Sequence, residues 1–334
     1  LKVSVEKERN KKLKKNRKIF MKGIWKSWNG NISHDYQEIF YPKSEKELCQ
    51  IIQKARSVRM IGTGKSSADI VAGTSTLISY ENLNQIIAID KVNHRVTVQT
   101  GVKLKRLLQT LEKENISFGA LPDIDDITVG GAISTGTHGT GREAQSLSEY
   151  VIQMKLVTAD GELFTLTESD EPFFAARVSL GLLGVVTEVT FQCETLRKMH
   201  ITERPMKDSQ WLKTYREMLK KYNFLRILWL PHTGYGYVIT GNYAEDDSEF
   251  HRRPAPKFYQ YRRKVSKILY GFTIKHPAFT AVANRIIYYL FFRKKQQKIG
   301  SLYQETVTKS RGSTLELAEW TVDIEKFDAL FIEL

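Results

Sequence analysis

Asp126-Ile127-Thr128-Val129-Gly130-Gly131-Ala132-Ile133-Ser134-Thr135-Gly136-Thr137-His138-Gly139-Thr140-Gly141 sets five glycines among hydroxyl side chains within sixteen positions. A backbone this bare can lie against a flat or charged ligand while nearby hydroxyls donate to anionic oxygens. Upstream, the strand-like Arg59-Met60-Ile61 runs into Gly62-Thr63-Gly64-Lys65-Ser66-Ser67. Taken alone, that turn reads equally well as a structural tight turn. It is not a Walker A loop, because the glycine needed five positions before Gly64 is Arg59. It is not a Rossmann fingerprint either, since the sixth position is Ser67 and no long apolar helix follows. Gly181-Leu182-Leu183-Gly184-Val185-Val186 offers a third close backbone approach, leading into a strand. Two separated glycine-rich turns suit a long diphosphate-bridged dinucleotide better than a mononucleotide.

Around these turns the text alternates strands and helices. Ser44-Glu45-Lys46-Glu47 opens a helix with a capping-box pattern, and Leu48, Ile51, Ile52 and Ala55 follow at helical spacing. Strands are predicted over 38–42, 77–80, 86–89, 95–99 and 185–191, with a hairpin joining 151–157 to 163–166. Leu104 to Leu111 reads as an amphipathic helix. A second region begins near Met199, with strands at 225–230 and 237–243 and basic, aromatic, helical text over 257–298. The last segment reads as a strand over 315–320 entering a helix from Ile324. A chain of 334 residues is too long for one ordinary core, so two domains are expected.

The net charge of +14 invites a nucleic-acid reading until it is located. Residues 1–26 hold a surplus of +9 and residues 252–298 a surplus of +13, which leaves the remainder at −8. A groove that tracks a phosphate backbone draws on bases spread through the fold. The charge therefore describes two segments, and no nucleic-acid partner is expected. Residues 1–26 read as a solvated basic arm that lacks the apolar stretch of a signal peptide. Cys49 and Cys193 are too few for a disulfide framework and show no metal-ligand spacing, as in a protein of the reducing cytoplasm.

The three glycine-rich segments resemble the FAD-binding domain of the vanillyl-alcohol-oxidase type, in the sugar-1,4-lactone oxidase branch. Trp25-Lys26-Ser27-Trp28-Asn29-Gly30, Tyr41-Pro42-Lys43-Ser44, Leu228-Trp229-Leu230-Pro231-His232-Thr233 and Glu319-Trp320-Thr321-Val322 extend the resemblance over residues 24–334. It implies an α+β fold: a two-subdomain FAD-binding domain over 27–197, then an incomplete α+β substrate (cap) domain over 198–334. It also implies oxidation of a CH–OH group of a sugar lactone or polyol, with oxygen or another acceptor taking the electrons.

Residue by residue, the resemblance implies that Gly62, Thr63, Gly64, Lys65, Ser66 and Ser67 hold the pyrophosphate and flank the isoalloxazine. Ile127, Thr128, Gly131, Ser134, Thr135, His138 and Gly139 share that role, while Gly184, Val185 and Val186 lie near the ribityl or adenine side. Many relatives carry a flavin-linking histidine where this chain has Lys65, so non-covalent FAD is expected, and Lys65 is free to act as a cation toward the phosphates. His138 is either a flavin contact or a satisfied loop histidine. The branch completes its active site with a Glu–Arg pair and a His-Trp-x-Lys segment. Neither occurs up to Leu334, so the catalytic residues are expected beyond it. A flavin-binding remnant without catalysis, attached to a membrane or a partner, is the alternative. The one-signed charge over 252–298 suits a peripheral helix on an anionic membrane surface, or a surface helix with solvated lysines.

Overall fold

The computed structural model describes residues 20–244, 257–307 and 319–333. The chain divides into two compact units. One comprises the residues up to Gly139 together with Gln145–Leu196, and the other comprises Thr140–Ala144 together with the residues from Arg197 onward.

The first unit opens with β1 (Phe20–Lys26), antiparallel to β2 (Ser33–Phe40). The expected basic arm over 1–26 is therefore corrected at its end, where residues 20–26 belong to a sheet; residues 1–19 lie outside the described residues. Helix α1 (Glu45–Ile52) begins where the Ser44 hydroxyl accepts from Glu47 N, as the capping pattern requires. It buries Leu48, Ile51 and Ile52. Strands β3 (Arg59–Ile61) and β4 (Thr76–Ser79) then complete a four-stranded sheet in the order β1-β2-β4-β3, parallel across its last three strands.

A five-stranded antiparallel sheet follows. Its strands are β5 (Ile86–Asp90), β6 (Arg95–Gln99), β8 (Val151–Val157), β9 (Leu163–Thr167) and β10 (Val185–Gln192), in the order β5-β6-β10-β8-β9. Helix α2 (Leu104–Lys113) turns Leu104, Leu107, Leu108 and Leu111 inward, each contributing on the order of 2 kcal/mol of burial. β7 (Ile116–Ser117) pairs with β11 (Glu194–Thr195). Helix α3 (Val129–Ser134) lies inside the glycine-rich run and α4 (Phe173–Arg177) precedes β10. Leu48, Ile51 and Ile52 meet Ile78, Tyr80, Val157 and Val185 in one core, which joins α1 to both sheets.

The second unit is a four-stranded antiparallel sheet in the order β13-β14-β12-β15. Its strands are β12 (Lys198–Lys207), β13 (Phe224–Leu230), β14 (Tyr235–Tyr243) and β15 (Gln296–Ser301). Successive residues of a strand face opposite ways, and β14 uses both faces. Val238 packs on Trp211, Tyr215 and Met218 of α5 (Asp208–Lys221). Tyr237 packs on Ile287, Phe291 and Phe292. These last residues follow α6 (Lys257–Lys275) and belong to α7 (Thr280–Ile287) and a π-helical turn over Tyr288–Phe292. The predicted helical text over 257–298 is thus corrected at its end, because Gln296 onward pairs with β12. Short α8 (Leu302–Thr306) and α9 (Phe327–Glu333) complete the described chain. Residues 319 and 320 are not in a strand, and 315–318 lie outside the described residues.

Thr140–Ala144 join this second unit by local hydrogen bonds. Arg142 N donates to Asn223 O at 2.9 Å, Arg142 Nη1 to Lys220 O at 2.8 Å, and Arg226 Nη2 to Thr140 Oγ1 at 2.6 Å.

Candidate cofactor-binding site

The site is built in the first unit from backbone that leaves strands at sharp angles. β3 delivers Gly62 to a turn in which Gly64 takes φ +62°, a left-handed conformation that favours glycine. A Cβ on Gly64 would stand 3.0 Å from Trp25, and Gly64 O accepts from Trp28 N at 2.9 Å. The second run is pinned where β6 ends: Gly130 N donates to Thr100 O at 2.7 Å and Val129 N to Val102 O at 2.9 Å. Thr128 then caps α3 by accepting from Gly131 N. The third approach bends at Leu180 (φ +53°), Gly181 (φ +76°) and Gly184 (φ +143°), and a Cβ on Gly184 would stand 2.5 Å from Val157 O. Leu180 N donates to Ser134 O at 3.2 Å, which ties the third approach to α3.

These three backbone segments wall one cavity of about 630 Å³, within the range of roughly 300–1,000 Å³ usual for cofactor sites. Gly62, Thr63, Gly64, Lys65, Ser66, Ile127, Thr128, Gly131, Ser134, Thr135, Gly184 and Val185 all line it. Ser67, His138, Gly139 and Val186 do not, and each has a physical reason. Ser67 is the last residue of the turn, between Ser66 and Ala68, which both line the cavity. His138 Nδ1 hydrogen-bonds Gly139 O at 3.0 Å, in a segment bridged to Ser146. Gly139 packs against the Leu121 backbone, leaving no room for a Cβ. Val186 is buried, and its carbonyl accepts from Thr100 Oγ1 at 2.8 Å.

Trp25, Arg56, Arg59, Tyr80 and Val157–Ala159 also line the cavity, although no glycine pattern marks them. Tyr80 is buried, and loss of water pushes its phenol well above the usual range, so it stays neutral there. The charged side chains of the wall are Arg56, Arg59 and Lys65, with no carboxylate among them. Lys65 Nζ lies 3.2 Å from Asp126 Oδ2 and 5.6 Å from the Trp28 ring centroid. Asp126 also meets Lys103 Nζ at 3.3 Å. Burial opposes ionisation of Asp126, but the Lys65 hydrogen bond and the Lys103 charge outweigh it and hold the carboxyl below its usual range. Beside the turns, Trp28 Nε1 and Ser179 Oγ are buried without a hydrogen-bond partner among the described residues. Such orphaned donors are groups that a ligand or water satisfies.

A glycine-lined wall, hydroxyls and cations without acids fit a long anionic dinucleotide. The family comparisons agree. Residues 36–167 match the family described as FAD binding domain, and residues 189–334 match D-arabinono-1,4-lactone oxidase. The two matches follow one another along the sequence and together span most of the chain. It is 29% identical over 303 residues to L-gulonolactone oxidase of Bos taurus, covering 88% of this chain and 68% of that protein. It is 33% identical over 216 residues to L-gulono-1,4-lactone dehydrogenase of Mycobacterium tuberculosis, covering 64% of this chain and 50% of that one. The chain spans about half to two thirds of the length of the curated relatives it matches. Cholesterol oxidase from Brevibacterium sterolicum shares the fold, with a TM-score of 0.75 at 15% identity over 90% of this chain and 64% of that chain. The match to the FAD binding domain makes FAD the cofactor of this site, and the α+β expectation holds. Among the described residues no group of side chains could hold a metal ion, and no helix is long and apolar enough to cross a membrane.

Proposed function

We propose that this chain is part of an oxidoreductase that takes two electrons from a CH–OH carbon of a sugar lactone or a related polyol. The acid-free, glycine-lined cavity carries the reading, because it matches a large anionic cofactor and excludes carboxylates that would repel one. When bound, FAD would supply the two-electron acceptor for hydride from the donor carbon, with oxygen or another acceptor taking the electrons on. The chain's own groups bind and orient. Backbone at Gly62–Ser66 and at Thr128–Gly131 approaches closely, and Thr63, Ser66 and Ser134 bring hydroxyls to the wall. Tyr80, Val157 and Val185 supply a dry apolar floor. In this reading the first unit, to about residue 197, is the FAD-binding domain, and the second is the substrate domain.

FAD is held without a covalent bond at position 65, where Lys65 is engaged with Asp126. An absorption spectrum before and after acid precipitation tests both statements. Flavin that moves into the supernatant supports them, and flavin in the pellet overturns the non-covalent reading. A folded protein that stays colourless with added FAD overturns the cofactor reading itself.

A second property is carried by the outer face of α6 and the π-helical turn. Val265 and Leu269 of α6 face the sheet core, whereas Tyr261, Ile268 and Phe272 stand 60%, 64% and 48% exposed. Tyr289 and Leu290 add 64% and 52%. Residues 257–298 contain no Asp or Glu, so every formal charge within this stretch is positive. We propose that this face rests on an anionic lipid surface as a peripheral contact. Co-sedimentation with vesicles containing phosphatidylserine, but not with pure phosphatidylcholine, is expected. Equal partition with both, or with neither, rejects it.

A further inference from the structure

The cavity wall is electrically lopsided. Its charged side chains are Arg56, Arg59 and Lys65. Lys65 already faces a carboxylate, Asp126, at 3.2 Å. Arg56, just before β3, has no ion pair among the described residues and is exposed. Arg59, the first residue of β3, gives one guanidinium N–H to Leu180 O at 3.2 Å and makes no ion pair among the described residues. The two cations thus stand at the start of β3 and the paired one in the turn that ends it. A strand rises about 3.3 Å per residue, so Arg59 and Gly62 are on the order of 10 Å apart. The cavity is therefore charged at one end and internally neutralised at the other.

Two cations without carboxylate partners match the two negative charges of a dinucleotide's diphosphate. An arginine fork is suited to phosphate oxygens because it donates in a fixed plane. The Leu180 carbonyl fixes that plane for Arg59. The same hydrogen bond fastens a turn in which Leu180 and Gly181 both hold positive φ, so Arg59 joins the charged end of the wall to the strap beside it. We infer that Arg56 and Arg59 form the anion subsite that reads the adenosine-diphosphate half of the cofactor, with Arg59 also holding the Leu180–Gly184 turn in place. The inference rests on the FAD reading and adds to it the side chains that separate a dinucleotide from a bare flavin.

The test is binding to the full-length apoprotein, followed by intrinsic fluorescence or calorimetry, with FAD, riboflavin and ADP as separate probes. In the unaltered protein ADP is expected to compete with FAD, and added salt to weaken both by screening. Arg56→Gln and Arg59→Gln are each expected to weaken FAD and ADP about tenfold or more while leaving riboflavin within about twofold. Failure of ADP to compete in the unaltered protein overturns the subsite without recourse to any variant. FAD affinity that survives the double substitution also overturns it, and leaves the FAD reading standing. An unaltered protein that binds neither FAD nor riboflavin removes the cofactor reading as well.

Discussion

Gly62 and Thr128 meet so closely that a Cβ on residue 62 would fall inside contact distance of Thr128 Oγ1. This point fastens the first glycine-rich turn to the cap of α3, so two distant stretches of sequence form one wall. Gly62→Ala must push Thr128 off its cap or displace β3. A loss of about 1–3 kcal/mol in stability is expected, together with reduced flavin content, read from thermal melts and the flavin-to-protein absorbance ratio.

Asp126 carries a pH signature. Its carboxyl sits below the usual range in the folded chain, held there by Lys65 and Lys103 against the cost of burial. The unfolded group titrates near 3.9, so the stabilisation is present above that pH and is lost as pH falls through the lower folded value. Asp126 is half exposed, so the effect stays under about 1 kcal/mol. Asp126→Asn should flatten the fall of melting temperature below about pH 4. An unchanged acid limb excludes the pair as a contributor.

Glu203 is 8% exposed, accepts from Lys298 Nζ at 2.6 Å and from Tyr237 OH at 3.1 Å. Removing one member of a buried pair leaves the other charge desolvated, which commonly costs about 3–5 kcal/mol. Glu203→Leu is expected to fall in that range by denaturant unfolding, well above any exposed pair in the protein. A loss below about 1 kcal/mol would show that the sheet tolerates Lys298 without this carboxylate.

The C-terminal helix offers a contrast of two forces. Arg216 bridges Glu325 at 2.7 Å and Asp328 at 3.2 Å, but these groups are substantially exposed. Phe331 instead packs edge-on against Trp211 and Trp229 at ring separations of 5.0 and 4.8 Å. Arg216→Ala should cost about 1 kcal/mol or less, and Phe331→Ala about 3 kcal/mol. Proteolysis of α9 under native conditions should rank the two variants in the same order.

Cys193 is buried, and desolvation first and the Glu194 charge second push its thiol up to about 12. Near neutral pH it holds almost no thiolate, which is the reactive form. A thiol-specific reagent should leave Cys193 unmodified in the native protein and reach it in denaturant, as peptide mapping would record.

Elements whose own residues decide them were legible in the sequence. Arg95–Gln99 alternates cleanly and is β6, and Ser44 caps α1 as its spacing demands. The glycine turns were legible because few other residues satisfy positive φ at Gly64 or a backbone approach at Gly184. Helix α3 was not. Gly130 and Gly131 weaken it by propensity, and it forms because the Thr100 and Val102 carbonyls and the Thr128 hydroxyl receive its first N–H groups. β15 was hidden for the same kind of reason: Gln296-Gln297-Lys298 reads as a polar helix end until β12 pairs with it. Arg56 and Arg59 belong to no motif, and their place on the wall follows only from the path of β3.

The excursion of Thr140–Ala144 bears on how such proteins could be recombined. A crossover after Leu196 divides the sequence in two, yet five residues of the second unit's network would travel with the wrong parent. Arg142 and Thr140 would then face foreign partners in place of Lys220, Asn223 and Arg226. The exchangeable module is therefore discontinuous, and a chimera that pairs the first unit with a foreign second unit needs its loop grafted as well.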